Sequence, residues 1–227
     1  MLKGKFAVLS LVAAALLCWQ VAGVETVNSG IVDPCLSTAS SDAGVHFICP
    51  QGDGDALTTG GSNPAPGGPG LTIFVTVKDN TNAAVPGIPA ADFWLIGCND
   101  LLLLCGGSGS INATAATDLN GNTTIAGDIS GSGCDTGVRV VCQGIVLGNG
   151  PCAPICLAIE VRSPDQKNTL GGPAEGLVSG SDFAFFGTSF QSPPKPYFAC
   201  HDFVGGPYGT ITVADFAKFG AHFNHSC

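Results

Sequence analysis

Residues 176–190 and 209–223 carry one pattern twice: Gly-x-[Val/Ile]-[Ser/Thr]-x-x-Asp-Phe-Ala-x-Phe-Gly-x-x-Phe. One copy of so short a unit cannot bury its apolar face alone, so the two are expected to cover each other. Phe183, Phe186 and Phe190 fall at i, i+3 and i+7 in the first copy, and Phe216, Phe219 and Phe223 in the second. That spacing places three rings on one face of an α-helix. Burial of six phenylalanines at roughly 2 kcal/mol each is the expected source of stability. Gly187 and Gly220 sit beside that face and are expected to let the helices approach closely, at about 1 kcal/mol of helix propensity each.

Ser179 and Thr212 each stand three residues before an acid, Asp182 and Asp215, as in a helix-capping box. The same residues also fit a calcium loop, which turns at a glycine and closes on an acid inside the helix. Gly176 and Gly209 then take the turn. The early ligand positions fall on Gly171, Pro173 and Glu175 in the first copy, and on Val204, Gly206 and Tyr208 in the second. Only Glu175 among these is an acid; Asp165 and Asp202 serve if each loop carries an insertion. The candidate Ca2+ ligands are therefore Asp165, Glu175, Asp182, Asp202 and Asp215. Loop and helix together resemble a degenerate type I dockerin module over residues 163–227. The resemblance implies docking onto a cohesin-like or cell-surface protein through residues at the helix starts. Here these are Gly180 and Ser181 in one copy and Val213 and Ala214 in the other. The two pairs are unlike, so a symmetric two-way binding mode is not expected.

The other end of the chain reads as a signal peptide over residues 1–23. Lys3 and Lys5 precede the apolar run Phe6 to Leu17, which is too short for a membrane span, and small residues follow near Gly23. The expected location is outside the cell or on its surface, with no membrane insertion. Without the leader, six basic residues face seventeen acids, a net charge of −11. So acidic a chain repels nucleic acid and anionic lipid, and neither is expected as a partner.

Of the eleven cysteines, ten lie beyond the leader, an even number that reads as a disulfide framework in an exported chain. Closeness in sequence favours Cys35–Cys49 and Cys98–Cys105, while Cys200 and Cys227 bracket the second repeat and would close it into a loop. Cys142 lies in a strand-like run and reads alternatively as a buried free thiol.

Between the leader and the repeats, short β-rich runs alternate with turn residues: Val45–Cys49, Leu71–Val77, Asp92–Ile96, Thr123–Ile125, Val138–Val146 and Leu157–Val161. Asn120-Gly121 signals a tight turn, and the Gly/Pro-rich stretch Thr58 to Gly70 a loop. Several short strands at regular spacing predict an antiparallel β-sandwich. Val75-Thr-Val-Lys-Asp79, then Val85-Pro-Gly-Ile88, then Thr117-Asp-Leu-Asn-Gly-Asn-Thr-Thr124 resemble bacterial Ig-like domains of the invasin/intimin group. The resemblance covers residues 45–162. It departs at Cys98 to Cys105, where Leu101 to Leu104 reads as cover for the end of the sandwich or as an exposed contact site.

Other constellations compete with these. Cys200, His201, His222, His225 and Cys227 read as a zinc set, but oxidised pairing is the stronger reading for exported cysteines. There is no Gly-x-Ser-x-Gly elbow. Asp92, Asp100, Asp118, Asp128 and Asp135 stand mostly beside turn residues, where aspartate has a local structural role. Asp53-Gly54-Asp55 is an acidic turn that reads by default as solvated loop. A sugar-binding face would need exposed aromatics; besides phenylalanine, Trp94, Tyr197 and Tyr208 are the candidates, and Trp94 is expected in the core.

The chain thus reads as mainly β. A signal peptide (1–23) and an N-terminal segment (24–44) precede a disulfide-stapled Ig-like sandwich (45–162) and a two-helix dockerin-like module (163–227). The expected role is that of a secreted, non-enzymatic surface, adhesion or scaffold-associated protein. The alternative is an accessory carbohydrate-binding component of a polysaccharide-degrading complex.

Overall fold

The computed structural model describes residues 30–41, 44–54, 72–99, 101–105, 111–148, 154, 156–166, 174–204 and 210–227. The leader, Asp55, the 58–70 loop, Asp100, Gly171, Pro173, Gly206 and Tyr208 lie outside them. Strands β1 (Thr38–Ser40), β3 (Ile73–Thr76) and β6 (Asn122–Ile125) form one antiparallel sheet. A second sheet has the order β2 (Gly44–Phe47), β10 (Ile159–Arg162), β7 (Gly131–Asp135), β5 (Leu102–Leu104). A third joins β4 (Phe93–Gly97), β8 (Val138–Cys142) and β9 (Ile145–Val146). Every pair is antiparallel except β2 with β10. Inward side chains from all three sheets meet in one mainly aliphatic core that includes Ile73, Val75, Ile125, Phe93, Leu95, Val140, Ile159 and Val161. The fold is mainly β: three sheets packed around one core, with a small pair of helices, α1 (Gly180–Phe186) and α2 (Val213–Ala221), packed on them.

The quoted motifs of the sandwich meet in space. Thr117 donates its hydroxyl to the Val85 carbonyl and accepts the Ile88 N–H, while Val77 N–H donates to the Gly121 carbonyl. Gly121 has φ +73°, and a Cβ there would stand 2.3 Å from the Val77 oxygen, so the turn requires glycine.

Three local expectations change. The run Val138–Val146 is a hairpin: Gln143 and Gly144, at φ 50° and 82°, turn the chain between β8 and β9. The leucine run is a strand: β5 pairs with β7, with Leu102 and Leu104 packed on the core and Leu103 exposed. Trp94 lies on the outer side of β4 and is 38% exposed, because Phe93 and Leu95 take the inward positions. Strand β1, within the segment before residue 45, completes the first sheet.

The cysteine pairing also differs. Cys98 bonds Cys156, Cys105 bonds Cys227 and Cys134 bonds Cys200; Cys35 is oxidised as well. Cys49 and Cys142 are buried free thiols. Closeness in sequence misleads because strand β5 carries Cys105 away from Cys98, and the pairing of β7 with β10 brings Cys134 toward the helix pair. Two of these bridges, spanning 122 and 66 residues, fasten the helix pair to the sandwich. Loops of that size correspond to roughly 4–5 kcal/mol of unfolded-state entropy per isolated bridge.

Candidate functional site

Each helix opens with a capping box. Asp182 Oδ2 accepts from Ser179 N–H at 2.8 Å, and Asp215 Oδ2 from Thr212 N–H at 2.8 Å. Their other oxygens reach back along the chain. Asp182 Oδ1 accepts from Gln166 N–H at 2.7 Å, and Asp215 Oδ1 from Phe203 N–H at 2.7 Å and Val204 N–H at 3.0 Å. The donors Gln166 and Phe203 directly follow Asp165 and Asp202, so the repeat extends upstream of its glycine to these two acids. Asp165 is buried and accepts from Gly176 N–H at 2.7 Å and Glu175 N–H at 3.4 Å. Asp202 is buried and accepts from the Tyr197 hydroxyl at 3.0 Å, with Arg162 Nη1 3.8 Å away. Burial raises the pKa of both, and the nearby charges of Asp182 and Asp215 add to the shift. The structure therefore brings Asp165 to Asp182 and Asp202 to Asp215. Glu175 is exposed and contributes its backbone N–H.

The helix-start positions Gly180, Val213 and Ala214 are exposed, and Ser181 is half-buried with its hydroxyl 2.6 Å from that of Ser179. The rings behave less symmetrically than the periodicity predicts. Phe186 and Phe219 are buried and stack at 5.2 Å, whereas Phe183, Phe216 and Phe223 are 48%, 41% and 41% exposed. The expected burial of six rings falls short because the helices share only the inner edge of each face. Phe183, Phe216, Phe219, Gly220 and Phe223 line an open apolar groove of about 380 Å³. Neither glycine mediates close helix contact. A Cβ on Gly220 would meet nothing within 4 Å, and one on Gly187 would meet only carbonyls of its own helix.

The histidine and cysteine set of the C-terminal region separates. Cys200 and Cys227 are in disulfides. His201 is buried among Phe185, Phe186 and Phe198 and hydrogen-bonds the Ser189 hydroxyl. Burial lowers its pKa to about 4, so it is neutral at pH 7. His222 and His225 turn away from it and face the sandwich, where Phe47 packs 5.1 Å from the His222 ring.

On the sandwich, the outer side of β3 and β6 carries a shallow open groove of about 480 Å³ lined by Phe74, Thr76, Thr114, Asp118, Asn122 and Thr124 among others. Phe74 is 51% exposed. Asp118 accepts the N–H groups of Asn120 and Asn122 and so closes its own turn. Asp135 accepts from Asn99 N–H at 2.9 Å and from the Asn99 amide at 2.8 Å. Both are structural roles of the kind expected beside turns.

No family model matches the chain, and no curated protein does. Among solved structures, the Lin-41 filamin domain is similar at TM-score 0.30 and 15% identity, covering 58% of this chain and 97% of its own. A C-terminal interface mutant of a type II cohesin–X-dockerin complex from Acetivibrio cellulolyticus is similar at TM-score 0.28 and 14% identity, covering 83% of this chain and 97% of its own. Similarity of this degree assigns neither a family nor a function.

Proposed function

We propose that this is a secreted, non-enzymatic surface or scaffold-associated protein in which the C-terminal helix pair docks a partner and the Ig-like sandwich presents it. The reading takes up the invasin-like and dockerin-like resemblances of the two regions. The observation that carries it is the groove: three half-exposed phenylalanines in one row on the helix pair, Phe183, Phe216 and Phe223. A contiguous group of apolar rings left open at the surface is the usual mark of a protein contact. The three described disulfides suit an oxidising compartment, and no helix among the described residues is long and apolar enough to cross a membrane. A panel of cohesin modules titrated against residues 24–227 tests the reading. Saturable binding that Phe216→Glu weakens at least about tenfold supports it. Binding by none of the panel, or binding indifferent to Phe183→Glu and Phe216→Glu, counts against it.

A second reading rests on the sandwich groove. An exposed ring flanked by threonine, asparagine and aspartate suits a sugar's apolar face and hydroxyls. In this reading the protein is an accessory carbohydrate-binding component. Affinity electrophoresis in soluble polysaccharides would show retardation that Phe74→Ala abolishes.

A further inference from the structure

One cluster belongs to neither groove. Cys49 and Asp53, on the turn after β2, meet His222 and His225, at and just beyond the end of α2. One ligand-type atom from each lies within 4.8 Å of all the others. His225 Nδ1 is 3.4 Å from Cys49 Sγ, 3.3 Å from His222 Nδ1 and 3.3 Å from Asp53 Oδ1. His222 Nδ1 is 3.4 Å from Asp53 Oδ1.

Hydrogen bonding alone does not account for this arrangement. One imidazole nitrogen carries at most one hydrogen, yet His225 Nδ1 faces a thiol, a second imidazole nitrogen and a carboxylate at once. Four donors around a central ion, with bonds of about 2.0–2.3 Å, stand about 3.3–3.6 Å apart along the edges of a tetrahedron. The three distances from His225 fall in that range. We propose that Cys49, Asp53, His222 and His225 form a tetrahedral site for a divalent first-row transition ion, zinc above all. The sulfur, two nitrogens and one oxygen suit that borderline-soft ion, whereas calcium takes oxygen ligands almost exclusively.

The backbone is arranged to hold the set. Gly52, at φ 77°, donates to the Cys49 carbonyl at 2.9 Å and folds Asp53 back over the thiol. Gly54 passes so close that a Cβ would stand 2.5 Å from the Phe47 oxygen. Asn224, at φ 67°, turns the chain after His222, and Val178 N–H donates to the His225 carbonyl at 2.9 Å. The Phe47 ring lies against His222. Two ligands come from the sandwich and two from the helix pair, so the ion would pin one to the other. Four protein ligands leave no open position, which is the pattern of a structural site. Burial keeps the Cys49 thiol protonated well above the usual thiol range. Binding therefore displaces that proton to solvent as the thiolate forms its bond to the metal.

The test uses residues 24–227 without a histidine tag, disulfides intact, stripped with a chelator. Co2+ as spectroscopic probe should bind one ion per chain, with the intense visible bands of tetrahedral coordination and a sulfur-to-cobalt charge-transfer band. Zn2+ should displace it and raise the melting temperature, and Ca2+ should do neither. Cys49→Ser should remove the charge-transfer band, and Cys142→Ser, at the other free thiol, should leave it intact. Asp53 is half-exposed, so Asp53→Asn preserves the fold and should weaken Zn2+ binding about tenfold or more. Absence of stoichiometric binding, or a cobalt spectrum unchanged by Cys49→Ser, overturns the proposal.

Discussion

The sandwich and the helix pair are held together by different means. The sandwich core is almost wholly aliphatic, with Phe93 its one ring, is drawn from three sheets, and includes no described residue of the helix pair. The helix-pair core is built around four phenylalanines, and two of its seven buried members, Phe47 and Cys49, belong to β2 and the turn after it. The first region closes its own core. The second, despite its internal symmetry, completes its core with borrowed side chains and two disulfides. A sequence repeat therefore marks a shared ancestry of shape without guaranteeing an independent folding unit.

The comparison breaks most readily at Phe47, which is fully buried and meets the Phe203 ring at 5.4 Å. Phe47→Ala should cost about 3–5 kcal/mol. Amide exchange should accelerate across 178–221 while β3 and β8 stay protected and Trp94 fluorescence stays native. Equal loss in both regions would refute the asymmetry. A pH scan sharpens it next. His201 takes up a proton near pH 4 when folded and near 6.5 when unfolded. The contribution of His201 to stability is thus constant above about pH 6.5, falls as pH drops from 6.5 to 4, and levels off below, a loss of about 3 kcal/mol at most. Urea unfolding of His201→Asn against the parent chain should isolate that slope, and parallel curves would rule it out. The smallest effect is expected from the second helix cap. Thr212 accepts from Ala214 N–H and its N–H is tied to Asp215, so Thr212→Ala should cost about 1 kcal/mol. Denaturant midpoints would measure it.

Much of this architecture was legible in the residues. A period-two run marked β3, and the doubled Phe pattern marked both helices, because local side-chain periodicity reports which face is buried. Strand β7 was not. Its sequence, Gly-Ser-Gly-Cys-Asp, has no apolar alternation. Gly133 is there because the Leu101 oxygen would stand 2.0 Å from any Cβ, a long-range approach that no local pattern records. The four-residue cluster was half visible. Asp53 stands in an acidic turn, and His222 and His225 belong to the zinc set that the sequence offers. Cys49 had been assigned to Cys35, and only the folded chain shows that it is free.

The junction at Arg162 has a mechanical consequence. This last residue of β10 is buried, bonds the Asp202 carbonyl and pairs with Glu160, while Gly133 N–H holds the Asp165 carbonyl and Cys134 holds Cys200. Among the described residues, the end of the strand is therefore clamped to the segments that carry the helix pair. Tension applied at the phenylalanine row would pass straight into the central strands of the second sheet. Whatever the groove grips, the sandwich would feel the pull along its own hydrogen-bond ladder.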